Sequence, residues 1–538
     1  MASKTSHKEF MYHRLLRVGA KTLNKERLLI NLLPKLKHKG ASPVTIGGKK
    51  VEDFESLYEH VFAESASFDG FEEHSAIVKK WLKDAAVDVL HRGKGNKEKF
   101  VSMRPLTLNA YKASNRKYRE DYGISEQVYS MMLAADLELD NTGRKITEEL
   151  KAYLSEGYDP DSDRVRTDDL ELLETVVAMV VNPLGIDKAD LRKTVNPHAP
   201  LCIGQARVLS ADLMGLLAYK DAIPKSALLK AMVQMMYLHT GLFILRLGPL
   251  LQDLVERREL HPGCRSCPVQ GDSDRGFHEC PFQIKLQMDL GLGYASNLAK
   301  LSAKSVEHHE RQIIQYIENH FYVRNLAEFF EKNRFVDENG YSVLDLFREL
   351  SDHENYMQDV HFSKRLDSFM EEMDEENDFL SLKVEGVPYI QSYVQLINKQ
   401  YNGYYFHYFK QLMSSLFAKN EADGIMAQSG GYKKYLLGNE LLDTLVHLVS
   451  IQPVEGGGYR TRRVRAEEFL TWMRRRYGFY IAESVFDAEE PELLQALRYN
   501  KSLFLSMLQD IGYYQPISDA YYTQWLIPRY EVDEVKGH

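Results

Sequence analysis

Apolar residues in this chain recur mainly at three- and four-residue intervals, the spacing that lines one face of an α-helix. Leu173, Val176, Val177 and Val180 show the pattern, with Asp168 or Asp169 upstream as an N-cap. The same period predicts helices over Ala227–Leu254, Asn297–Phe321, Val343–Leu350, Val387–Phe417 and Glu440–Val449. Period-two alternation is scarce, and only Pro43–Val51 reads as a hairpin. The expected fold class is therefore mainly α with minor β.

Polar and glycine-containing stretches interrupt the helical pattern at Gly93–Lys99, Tyr158–Thr167, Pro262–Pro281, the acidic run Glu371–Asp378, and Gly430-Gly431. With 538 residues the chain exceeds one ordinary core, so several domains are expected. The breaks divide it into a helical domain with minor β at 1–110, a helical domain at 111–255 and a cysteine-bearing metal-binding insertion at 256–300. A further helical domain at 301–430 and a basic C-terminal module at 431–538 follow. No internal repeat of solenoid length is present.

Composition changes this picture little. Hydrophobic residues make up 44% and charged residues 27%, as in ordinary globular chains. A formal charge of −9 argues against a surface that coats nucleic acid or anionic membrane as a whole, while leaving room for a local basic patch. The most apolar run, Ala231–Leu251, is broken by Gln234, His239 and Arg246 and reads as a buried core helix. The first residues carry no apolar segment of the secretory kind, and cysteines are few, so a reducing cytoplasmic setting is expected.

Three of the four cysteines fall within 17 positions. Cys264 and Cys267 form a C-x2-C knuckle, and Cys280 follows after 12 residues. Two thiolates presented from one tight turn, with a third returned by a loop, suit a tetrahedral zinc ion. The intervening residues Gln270–Gly276 are too polar and glycine-rich to hold a shape by burial alone, so a metal would act as a structural staple. Cys202, His261 and His278 are open as the fourth ligand, Cys202 first because it would use every cysteine in the chain. An iron–sulfur cluster is the alternative occupant.

Arg460, Arg462, Arg463, Arg465, Arg474, Arg475 and Arg476 face only Glu467 and Glu468 over the same span, a local net charge of +5. Glu467–Tyr480 reads as a helix with Phe469, Trp472, Met473 and Tyr477 inward. Helix, basic loop, helix and further short elements give a winged-helix-like order in which the arginines would meet DNA phosphates. The competing reading is that they neutralise acidic surface or pair with another subunit. Tyr401, Tyr404, Tyr405, Phe406, Tyr408 and Phe409 form a stripe expected in the core. His308 and His309 are adjacent on a helix and expected to be solvated, since ligand pairs sit four apart. Phosphate-loop, dinucleotide, H-E-x-x-H and G-x-S-x-G patterns are absent.

Ile223-Pro224-Lys225 through Leu245-Arg246-Leu247, the cysteine–proline knuckles, and the ending Arg476-Tyr477-Gly478, Ile511-Gly512, Ser518-Asp519 and Ile527-Pro528-Arg529-Tyr530 carry a resemblance. Across its middle and C-terminal thirds the chain resembles large subunits of bacterial multi-gene anti-phage islands, and most of all the methylation-associated defence system. The resemblance implies a non-catalytic structural or DNA-contacting component of a multi-subunit complex. It also implies partners that include a DNA methyltransferase, a specificity subunit, ATPases and a kinase-like component; no membrane partner is expected, because no apolar run is long enough to span one. The second function class is a metal-dependent nuclease built from dispersed acidic residues.

Overall fold

The computed structural model describes residues 12–42, 53–61, 73–92, 96–115, 117–138, 144–162, 164–166, 170–184, 193–194, 198–267, 269, 276–337, 340–352, 360–372, 387–454, 458–486, 490–514 and 525–533. Among them the helical periodicity is realised as sixteen α-helices, and the strands form only two-stranded pairs. The expected hairpin at 43–51, the cap at 168–169, most of the acidic run and the polar loop at 270–275 lie outside the described residues. Packing divides the chain into two units that are not contiguous in sequence: Leu23–Pro197 with Pro224–Val233, and Met1–Thr22 with His198–Ile223 and Gln234–His538.

The first unit is organised by the Glu26–Lys37 helix, which packs on the Ile124–Glu138 and Ile146–Leu154 helices. Its residues Leu28, Ile30, Leu32 and Leu33 are fully buried, and Pro34 is accommodated inside the helix. Asp136 caps the Ile146–Leu154 helix from the preceding one, accepting from the Ile146 and Thr147 amides at 2.8 and 3.1 Å. Those amides are helix-start donors with no partner in their own helix, so a remote carboxylate joins the two elements. A hairpin of Val87–Arg92 and Lys97–Met103 completes the unit, and its Asp88 pairs with the buried Arg27.

Long helices dominate the second unit. Asn297–Lys332 begins with the Ser296 side chain accepting from the Ala299 amide at 3.0 Å. It runs eleven residues past the predicted end, because Leu326, Phe329 and Phe330 continue the apolar face. It packs along Tyr389–Leu416 and against the hairpin Met426–Ser429 and Tyr432–Tyr435. Where it meets Lys225–Arg257, a Cβ on Gly248 would stand 2.2 Å from the Gln312 carbonyl, so only glycine permits the approach.

By length and composition Lys225–Arg257 is apolar enough to cross a membrane, yet 83% of its apolar window is buried within the protein. Its interrupting polar residues are partnered rather than exposed: Gln234 bonds Thr444, His239 bonds Asp212, and Arg246 bonds Gln205 and the Phe282 carbonyl. This is a core helix with specific polar contacts, as its broken apolar run implies.

Candidate functional site

Two features of the second unit meet in one place, the cysteine segment and the C-terminal arginine helix. Cys202 is buried at the N-cap position of the Ile203–Leu217 helix. Cys264 lies in the single turn Pro262–Arg265, and Cys267 and Cys280 are half-buried beyond it. All four are free thiols. Cys267 and Cys280 each precede a proline, and each sulfur accepts the amide of the residue after it: Val269 for Cys267 and Phe282 for Cys280. Burial raises both thiols above the usual range, and these N–H···S bonds offset part of that rise. Arg207 secures the first turn by donating to the Val269 carbonyl at 2.7 Å, and Arg246 secures the second through the Phe282 carbonyl at 3.1 Å.

A Cβ on Gly204 would stand 3.0 Å from the Cys267 sulfur, so the start of the Cys202-capped helix lies directly against the knuckle. Burial pushes the Cys264 thiol up to about 12, and the neighbouring Cys280, Cys202 and Cys267 add to the rise. The four sulfurs thus share one electrostatic neighbourhood. As they stand, no three His, Cys, Asp or Glu side chains among the described residues are gathered into a group able to hold a metal ion. His261 and His278 are otherwise engaged. The His261 Nδ1 accepts from the Gly263 amide at 3.1 Å and its ring meets Phe282 edge-on, while His278 lies at the surface with Nε2 3.4 Å from Glu279.

Beneath the knuckles lies a buried polar network that follows no recognised sequence motif. Gln205 and Asp212 are seven apart on one helix, and His239 and Arg246 are seven apart on another, so each pair shares a face two turns long. Gln205 contacts His239 Nδ1 at 2.5 Å and accepts from Arg246. The Asp212 carboxylate meets His239 Nε2 at 2.7 Å, Arg476 Nη2 at 2.6 Å and the Tyr477 hydroxyl at 2.7 Å. Burial alone would raise Asp212, but Arg476 and His239 outweigh it and hold the carboxyl below its usual range. Burial lowers His239 despite the carboxylate beside it. The legible signal was the recurrence of polar residues on otherwise apolar helix faces, because a polar group on a buried face needs a partner.

The cysteine segment is stitched to the end of the Ala466–Tyr477 helix. Phe277 donates its amide to the Arg475 carbonyl at 2.6 Å, and a Cβ on Gly276 would come within 2.1 Å of that oxygen. Gly478 ends the helix with φ at +77°. The strands that follow, Phe479–Tyr480 and Leu286–Gln287, then pair in parallel.

This geometry separates the seven arginines. Arg476 is buried on Asp212 and Tyr477, so it is removed from the proposed phosphate contacts: the helix turns it inward with Trp472 and Met473. Arg474 pairs with Glu483 and Arg462 with Glu468. Arg460 is exposed and stands 3.9 Å from the equally exposed Asp533. Arg465 is exposed and lies over the Trp525 ring at 5.0 Å. Arg463 and Arg475 are exposed, with no side-chain ion pair among the described residues. The described strands do not confirm the winged-helix-like order. The hairpin of Ile451–Pro453 and Tyr459–Thr461 comes before the arginine helix, and the strand after that helix joins the cysteine segment.

Two further expectations are corrected. His309 is not solvated: it is buried with Nδ1 2.9 Å from the Tyr435 hydroxyl, and His308 is the outer of the two. Of the aromatic stripe, Tyr405 and Phe409 pack inward on Phe321 and Tyr316, whereas Tyr404 is exposed and stacks on Tyr408. A helix presents only one side to a core, so six aromatics over nine positions cannot all be buried.

Fold and site define a large, mainly helical protein whose buried polar network joins a cysteine segment to a basic helix. Residues 5–530 match the family model of the methylation-associated defense system protein MAD7, and the chain belongs to this family. It is accordingly a component of a methylation-associated, antiviral defence system. No curated protein and no solved structure matches it.

Proposed function

We propose that this chain serves the defence system as a binding component that contacts duplex DNA, with Arg460, Arg463, Arg465 and Arg475 as the phosphate-facing residues. Its remaining contacts would be with companion components of the system, and the four cysteines would have a structural part. The observation that carries this reading is the exposure of Arg463 and Arg475 without an acidic partner, together with Arg465 exposed over the Trp525 ring. Exposed guanidinium groups free of carboxylates are available to phosphate oxygens, which they meet with paired N–H donors. Arg475 also complements the dipole at its helix end, which accounts for its position in the last turn but not for its lack of an ion pair. These groups stay charged throughout the neutral range, which suits adhesion rather than proton transfer.

Arg463→Glu, Arg465→Glu and Arg475→Glu together are expected to weaken duplex binding by at least ~10-fold at low salt, since each phosphate contact carries a counterion-release contribution. The thermal midpoint should stay close to that of the wild type because all three side chains are exposed. Unchanged affinity in a folded triple variant would remove these residues from the interface.

A further inference from the structure

We propose that Cys202, Cys264, Cys267 and Cys280 together hold one zinc ion as a closed set of four thiolates. The ion would join the start of the Ile203–Leu217 helix to the segment on which the arginine helix ends. The inference stands apart from the DNA reading and rests on three features of the cysteine segment.

The first is the repeated turn. Cys267-Pro268-Val269 and Cys280-Pro281-Phe282 have the same order of residue types, and in both the amide two residues on donates to the sulfur. Such a turn fixes the direction of each sulfur and leaves it an acceptor, as zinc-binding knuckles require. In both, an arginine (Arg207 or Arg246) holds the carbonyl of that same residue and so fixes the turn from behind.

The second feature is the choice of the fourth ligand. The Cys267 sulfur lies against Gly204, two residues from Cys202, and Cys202 is buried at the adjoining helix start. His261 already uses Nδ1 as a turn acceptor, and His278 stands at the surface beside Glu279. Of the three candidates, Cys202 stands at the helix start whose Gly204 meets the Cys267 sulfur.

The third is that the chain's four cysteines are confined to this segment and the helix start that lies against it. The approach of the sulfurs to bonding distance would accompany binding, so metal affinity becomes local folding energy. Four protein ligands leave no open position, which makes the role structural. In each residue Zn²⁺ displaces the thiol proton to solvent and the sulfur lone pair forms the bond, with no change of oxidation state.

The test is elemental analysis of the purified full chain, followed by cobalt substitution. One zinc per chain is expected, and the cobalt form should show the charge-transfer intensity of four thiolates with the d–d bands of a tetrahedral site. Cys202→Ser should lose most of the metal or shift the cobalt spectrum to three thiolates, while His261→Ala and His278→Ala keep both. Should Cys202→Ser fail to fold, the wild-type cobalt intensity still counts the thiolates. A metal-free protein with four titratable thiols that takes up no cobalt would overturn the proposal. So would the broad visible absorption of an iron–sulfur cluster, or loss of zinc in His261→Ala with retention in Cys202→Ser.

Discussion

Asp212 receives more buried donors than any single residue in the sequence would announce. His239, Arg476 and Tyr477 all converge on its two oxygens, and every member of the group is almost completely buried. Removing one charge from such a set leaves the other without solvent or partner, which costs about 3–5 kcal/mol. Asp212→Ala should therefore lower the denaturant midpoint severely, whereas Arg475→Ala at the neighbouring exposed position should leave it nearly unchanged. Equal effects of the two substitutions would show that the inward and outward arginines are not distinguished in this way. His309 and His320 supply a second residue-scale test. Burial lowers both to about 3, so the folded protein keeps them neutral where the unfolded chain takes up protons near pH 6.5. The unfolded state then binds more protons, and stability falls as pH falls below ~6.5, by about 1.4 kcal/mol per pH unit for each histidine. Stability measured from pH 7 to pH 5 should show this decline, and His309→Gln should make it shallower.

At the scale of elements, glycine positions decide how the cysteine segment reaches the arginine helix. Gly478 has φ at +77°, and a Cβ there would stand 1.9 Å from the Ile284 carbonyl. Gly478→Ala should cost at least ~2 kcal/mol, from left-handed backbone strain and displacement of the Leu286–Gln287 pairing. A calorimetric midpoint within a degree of the wild type would refute that contact. Helix identity was legible for the six periodic stretches named from the sequence, because the 3.6-residue period reports a buried face, whereas Pro491–Asp510, Ile203–Leu217 and Ile124–Glu138 were not singled out. The inward turn of Arg476 was not. Local charge counting treats seven arginines alike, and only the arrival of Asp212 from a helix 264 residues earlier sets one apart. The same limit applies to His309, whose partner Tyr435 comes from a hairpin far along the chain. For the cysteines, the C-x2-C spacing pointed to a knuckle. The arginines that anchor its turns and the helix start of Cys202 beside it come from distant parts of the chain.

For the whole molecule, the net charge of −9 and the small exposed basic set make opposite predictions about nucleic acid. An acidic surface repels a polyanion at long range, and that repulsion is screened within ~10 Å at 0.1 M salt. Contact through a few exposed arginines then depends on local charge, with modest affinity and a limited counterion release. Membership of a methylation-associated defence system gives such contact a setting without itself specifying it. The account is tested most directly by measuring duplex DNA affinity as a function of salt. Engagement of the exposed arginines predicts a linear fall of log affinity against log salt with a slope of about −3 to −4, one contribution near −0.9 for each phosphate met. The Arg463→Glu, Arg465→Glu, Arg475→Glu variant should flatten this slope by about three such contributions. Absence of binding at low salt, or a slope the variant leaves unchanged, would contradict it.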